Sequence, residues 1–259
     1  MLANLGPAFA SGGLVGFSLG LVGGGGSILA TPLLLYVVGV TQPHIAIGTS
    51  ALAVSVNAFA NLIGHAKSGN VRWRCAIIFA GIGTLGALAG STLGKLVDGQ
   101  RLLFLFGLLM VLVGILMLRP REPGSAPERP ADLRTCLATA AVAFVAGSAS
   151  GFFGIGGGFL IVPALILATG MPIINAIGSS LLAVGSFGLA TALNYAASGL
   201  VDWPVAFEFI AGGLAGGVAG MMIANRLSTG KNTLNRIFAG LIFVVAAYVL
   251  YRSAGAFTT

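Results

Sequence analysis

Apolar residues run along this chain in stretches of about 20, each long enough to cross a bilayer as a helix, with short polar stretches between them. Residues 8–38 form the first stretch; it is interrupted at Gly23–Gly26 and reads as two short helices joined at the glycines. A turn at Gly39–His44 leads into a span at 45–64. A basic loop with His65, Lys67, Arg72 and Arg74 precedes spans at 75–95 and 101–118, which have Lys95, Asp98 and Arg101 between them. Arg119–Arg134 (RPREPGSAPERPADLR) is the one long polar run, a linker by its Pro, Gly, Ser and charge content. Beyond it the pattern returns: 136–169 with a second glycine break, then 173–197, 204–225 and 234–251.

The return is a sequence repeat. Gly20–Pro32 (GLVGGGGSILATP) recurs as Gly151–Pro163 (GFFGIGGGFLIVP), with Gly20, Gly23, Gly25, Gly26, Leu29 and Pro32 each matched 131 positions later. Downstream the offset becomes 130, so Ala46, Gly48, Ser50 and Trp73 meet Ala176, Gly178, Ser180 and Trp203, and GNVRW is echoed by GLVDW. The expected organisation is a first membrane repeat at 1–120, a polar linker at 121–134 and a second membrane repeat at 135–259. Clustered glycines hold a helix poorly. Broken backbone inside a bilayer is tolerated where it is buried in protein or lines a cavity, and paired breaks in two halves point to a transporter's binding site.

Composition fixes the class. The chain of 259 residues is 57% hydrophobic and 7% charged, against about 25% charged in soluble domains. The expectation is an all-α polytopic membrane protein, each repeat having a Gly-broken segment plus about three further helices, with no soluble domain. The net charge of +7 lies in short loops, where it sets orientation rather than marking a nucleic-acid surface. Cys75 and Cys136 supply neither a disulfide framework nor a zinc site. No Lys or Arg precedes the first apolar run, so a cleaved signal peptide is not expected.

Loop charges also bear on the relation of the halves. If each broken segment crosses once, the halves are parallel and the Lys and Arg residues divide eight against five. If each returns to its own side, or crosses twice, the halves are inverted and the division is ten against three. The positive-inside rule prefers inversion, with half-helices entering from opposite faces and meeting near the midplane. The charges leave open whether each segment is a re-entrant hairpin or two full crossings.

Helix starts after glycine breaks leave backbone N–H groups free at the positive dipole end, where anions bind. Gly25, Gly26 and Ser27 form one candidate cradle, and Gly156, Gly157 and Gly158 the other. The competing reading is helix packing, which the scattered sets Gly83/Gly86/Gly90 and Gly212/Gly213/Gly216/Gly217 fit better. Thr49, Ser50, Ser179 and Ser180 offer hydroxyls that cap a helix or donate to an oxyanion. Asn57, Asn61 and Asn194 lie within apolar spans, where an amide needs a substrate or a protein partner. His44 and His65 are expected in loops, either able to titrate in a proton-coupled cycle. Glu208 stands just inside a span, and Trp73 and Trp203 fit interfacial anchors. No Lys follows the glycines as a P-loop requires, and no strand or downstream acidic residue makes the second block a dinucleotide fingerprint. Transport would therefore draw on an ion or substrate gradient.

The duplicated GxGGG…P block, the A-x-G-[TS]-S block and the G-x-V-x-W loop resemble the TauE/SafE family of sulfite exporters over essentially the whole chain. Gly158 replaces Ser27 and Ile155 replaces Gly24 between the two copies. The resemblance implies a multi-pass inner-membrane carrier exporting sulfite or a short organosulfonate by alternating access. Its partners would be a small anion, lipid and a coupling proton or ion, with no cofactor, no metal and no nucleic acid. The competing readings are a passive anion channel and an intramembrane Ser/His hydrolase.

Overall fold

The computed structural model describes residues 5–118, 133–154, 161–162, 164–165, 169–171, 173–226 and 231–253. Gly156, Gly157, Gly158 and most of the linker lie outside them. Most of the described residues are helical, with no strand among them. In chain order, α1 spans Leu5–Val22 and runs into a 3-10 stretch at Gly23–Leu29. A short α2 (Ala30–Leu33) and a π-helical turn (Leu34–Val38) complete the broken segment. Then come α3 (Pro43–Lys67), α4 (Trp73–Leu96), α5 (Gly99–Leu118), α6 (Leu133–Phe153), α7 (Ile173–Ala196), α8 (Trp203–Arg226) and α9 (Lys231–Ser253).

Local chemistry sets the ends. Pro43 opens α3 at a position where its missing N–H costs nothing. The Asp98 and Asp202 carboxylates accept from backbone N–H groups in the first turns of α5 and α8, the usual N-cap arrangement. Helices α3 and α7 end alike: Gly69 and Gly199 take left-handed φ angles of 72° and 70°, and Asn70 and Leu200 donate back to the His65 and Tyr195 carbonyls. Every left-handed glycine among the described residues has a repeat-related twin: Gly23 with Gly154, Gly39 with Gly170, and Gly69 with Gly199. Gly23 and Gly39 bound the first broken segment, and Gly69 and Gly199 end α3 and α7.

Close approaches fix the directions of the helices. Gly12, Gly16 and Gly20 of α1 lie against Phe209, Gly213 and Gly217 of α8, so the two helices run parallel. Gly83, Ala87 and Gly94 of α4 meet Gly147, Gly151 and Phe152 of α6, also in parallel. The central pair, α3 and α7, runs antiparallel, with Gly188 near Ala51 and Gly185 against Phe59. It is tied where the Ser55 hydroxyl donates to the Gly185 carbonyl at 2.7 Å. Gly107 and Gly114 of α5 face Leu250 and Phe243 of α9, another antiparallel pair. Asn57 and Asn61 of α3 face Gly213 and Gly217 of α8, so α3 runs with α8 and hence with α1.

The broken segment must therefore return between α1 and α3. Gly23 abuts Ile177 at the start of α7. Gly39–Gln42, at the far end, share a surface pocket with Asp202 and Val205 at the start of α8. Helices α7 and α8 begin at opposite ends of the bundle, so residues 23–38 traverse it. The chain thus runs one way along α1 and back along residues 23–38 before α3, each of these two stretches being shorter than the four helices long enough to cross a bilayer.

The surface is apolar, and polar side chains are buried within the largely apolar interior. Val145, Phe207 and Val244 are about two-thirds exposed, whereas Thr49, Asn57, Ser179, Ser180 and Thr191 have no exposure at all. That distribution suits a bundle solvated by lipid, in which polar groups turn inward. α3, α4, α7 and α8 are each long and apolar enough to cross a bilayer. Trp73 and Trp203, half exposed, open α4 and α8 at opposite ends of the bundle, where interfacial aromatics belong.

Candidate functional site

The glycine-rich stretch is positioned by α1. Gly23 can turn the chain there because its left-handed φ carries no Cβ penalty. Gly26 is buried, and a Cβ on it would meet the Ser18 and Leu19 backbone. Close packing on α1 thus already accounts for Gly26 as a glycine. Ser27 is fully buried beside it, and Gly25 lies in the same 3-10 turn.

The hydroxyl candidates divide. The Thr49 hydroxyl accepts from the Asp202 N–H at 2.9 Å, and Ser179 accepts from the Arg72 N–H at 2.9 Å. These are repeat-equivalent bonds at opposite ends, tying α3 to the loop before α8 and α7 to the loop before α4. Thr49→Val and Ser179→Val should each leave a backbone donor unpaired and cost about 1–3 kcal/mol. The two losses should add, since the sites share no partner; unfolding midpoints of both single variants and the double in lipid check this. Ser50 and Ser180 donate to the Ile47 and Ile177 carbonyls of their own helices. Because the Ser50 proton is so engaged, the 2.9 Å contact between Thr31 and Ser50 has Thr31 as donor, linking the broken segment to α3. The second copy carries Val162 in place of Thr31.

Asn194 is not directed at the glycines. Its amide nitrogen donates to Ser91 and Thr92 of α4 at 2.7 and 3.0 Å, and its oxygen accepts from Lys95 at 2.8 Å. Lys95 also reaches Ser198 and the Asn194 carbonyl. This is a clasp between α4 and α7 at one end of the bundle.

Asn57 is the opposite case. It has no exposure, and neither its amide oxygen nor its amide nitrogen has a partner. It points from the middle of α3 into the notch left by Gly213 of α8. One turn further along, the Asn61 amide donates to the Asn57 carbonyl at 2.8 Å and lies between Gly20 and Gly217. Another turn on is His65, 2% exposed. Both histidines therefore differ from the loop positions expected for them. His65 falls inside α3 because that helix runs on to Lys67, and His44 is in its first turn, with Nε2 3.2 Å from the Val97 carbonyl. Neither imidazole is hydrogen-bonded to a serine, so no Ser–His pair of a hydrolase is assembled among the described residues. Glu208 lies half-buried in the second turn of α8.

The family model for the sulfite exporter TauE/SafE matches residues 8–249. The chain belongs to the TauE/SafE family. Two relatives in Xylella fastidiosa strains, each named a probable membrane transporter protein, are 67% identical over 94% of this chain and 94% of their own. The Bacillus subtilis probable membrane transporter protein YunE is 28% identical over 92% of this chain and 95% of its own. No solved structure matches. This TauE/SafE member is thus a multi-pass membrane transporter. The signal that would have found the Asn57–Asn61–His65 line in the sequence is its i, i+4, i+8 spacing on one apolar span, which places all three on one helix face.

Proposed function

We propose that this TauE/SafE transporter is a secondary carrier of the bacterial inner membrane that exports a small sulfur-containing anion, sulfite or a short organosulfonate, by alternating access. The observation that carries the reading is Asn57, a fully buried amide at mid-bundle with no protein partner for either polar atom. An unmatched buried amide costs stability, so its retention is explained by a ligand that pairs with it during the cycle. A sulfonate offers three oxygen acceptors to the amide N–H groups. Export is the direction given by the family's name.

We further propose that residues 1–120 and 135–259 are inverted repeats joined by 121–134. The antiparallel crossing of α3 and α7 at Ser55 and Gly185, themselves repeat-equivalent, supports this. So do the reciprocal pairings of α1 with α8 and α4 with α6.

The test is a thermal-stability screen of purified protein against sulfite, sulfate, sulfoacetate, taurine and matched carboxylates. Only a ligand that prefers the folded state raises its midpoint. Stabilisation by sulfite or sulfonates over the carboxylates is expected, along with saturable flux in proteoliposomes. Equal response to every anion, or none, would withdraw the substrate; flux linear in concentration would favour a channel.

A further inference from the structure

The line Asn57, Asn61 and His65 has a repeat-equivalent line on α7: Phe187, Thr191 and Tyr195, each 130 positions later. All six side chains are buried. The two lines differ in chemistry. At mid-bundle an amide stands where the other half has a phenyl ring stacked on Phe79. At the end of the line an imidazole stands where the other half has a phenol beside His44 and Lys95. Only the α3 line therefore carries, from the middle of the bundle to one end, polar groups closing on an imidazole, the side chain whose free form changes charge near neutral pH.

The surroundings of His65 narrow its role. The ring faces the Gly20 backbone on α1 as a weak hydrogen-bond contact, but neither ring nitrogen makes a well-aligned hydrogen bond. α1 carries no titratable side chain, the 23–38 segment has only Tyr36, and α7 has only Tyr195, at the far end. On α8 the titratable groups are Glu208 and Arg226. Gly64, next to His65, packs on Met221, which is 13 residues from Glu208 along α8, about 20 Å at helical rise. α5, which touches α3 near its start, carries Arg101 at that same far end, with Asp98 just before it. On α3 itself the charged neighbour is Lys67, and Arg72 and Arg74 follow. Every fixed charge at the His65 end of these elements is thus positive, and no carboxylate among the described residues reaches it. A buried imidazolium there needs a negative partner to be stable, and the anion being carried is the one the cycle supplies.

We propose that His65 is the proton-coupling site of the carrier, with Asn61 and Asn57 linking it to the anion at mid-bundle. This rests on the anion-carrier reading above. One proton binds the ring nitrogen that does not face Gly20 as one monovalent anion enters, and both leave together, so the loaded carrier gains no net charge. Linkage makes the effect mutual: the anion favours protonation of His65 as much as the proton favours the anion.

Proteoliposomes loaded with the pH dye pyranine test this with ethanesulfonate, a strong-acid anion that does not itself exchange protons near neutral pH. An imposed ethanesulfonate gradient should move lumen pH in wild type, at about one proton per anion. His65→Gln, and His65→Asn as a second variant, should lose at least tenfold of the proton movement while ethanesulfonate still raises the unfolding midpoint. His44→Gln should match wild type. Anion flux with no pH change in wild type would overturn the coupling and leave the anion carrier standing. Proton movement undiminished in both His65 variants would overturn the residue assignment. Wild type moving neither species would overturn the sulfonate-carrier reading, and this inference with it.

Discussion

Gly16→Val should leave almost no folded protein, although it adds three carbons to an already apolar helix. A Cβ at Gly16 would fall on the Gly213 carbonyl and its neighbouring backbone atoms. Backbone cannot rotate aside as a side chain can, so α1 and α8 must separate along their length. The same contact recurs at Gly12 with Phe209 and at Gly20 with Gly217, so separation at one level loosens the others. Overpacking ordinarily costs about 1–3 kcal/mol, occasionally more, and here the yielding element is a whole helix pair. Against a total stability of about 5–15 kcal/mol, the loss is a large share. Gly81→Val is the control, because no atom lies within 4 Å of its Cβ position. Recovery of monodisperse protein and its unfolding midpoint in lipid provide the measurement. A Gly16→Val protein as stable as the Gly81→Val control would refute the close α1–α8 packing.

Asn57→Leu should do the reverse, abolishing transport while leaving the protein as stable as wild type or more so. Leucine has nearly the outline of asparagine, branching at the same atom, so the Gly213 notch can take it. The exchange removes two buried polar atoms that have no partner, and relieving one such group is worth about 1–3 kcal/mol. Flux of sulfite or ethanesulfonate in proteoliposomes should fall at least tenfold, and the unfolding midpoint should hold or rise. Full flux in Asn57→Leu would remove Asn57 from the transport path. A large drop in midpoint would mean that the amide is bonded after all and that its role is structural.

How much of this was legible beforehand depends on how local the cause is. The glycine break was legible because Gly23 acts through its own φ, and the repeat because identical residues recur at a fixed spacing. The membrane class followed from composition alone. The packing of Gly83, Gly86 and Gly90 on α6, and of Gly212, Gly213, Gly216 and Gly217 on α1 and α3, matches the packing expected of those scattered glycines. His65 was misplaced because a polar cluster from His65 to Arg74 reads as loop, whereas the helix continues for two residues past it and stops only at the Gly69 turn. Asn194 and Asn57 look alike in sequence, an amide inside an apolar span. Their difference comes from α4 and α8, distant helices that bring a lysine and two hydroxyls to one and bare glycine to the other. Which helix a small-residue face meets is likewise a long-range choice, and nothing in α1 names α8 as its partner.

That partnership has a consequence for how the protein is made. About 200 residues separate Gly12 from Phe209, and ribosomes add roughly 5–20 residues per second. The glycine face of α1 therefore waits on the order of 10–40 seconds in the membrane before its groove exists, and α6 by contrast emerges to find α4 already present. A chaperone or the insertion machinery that holds α1 through that interval would be acting on the first half of the chain and not the second.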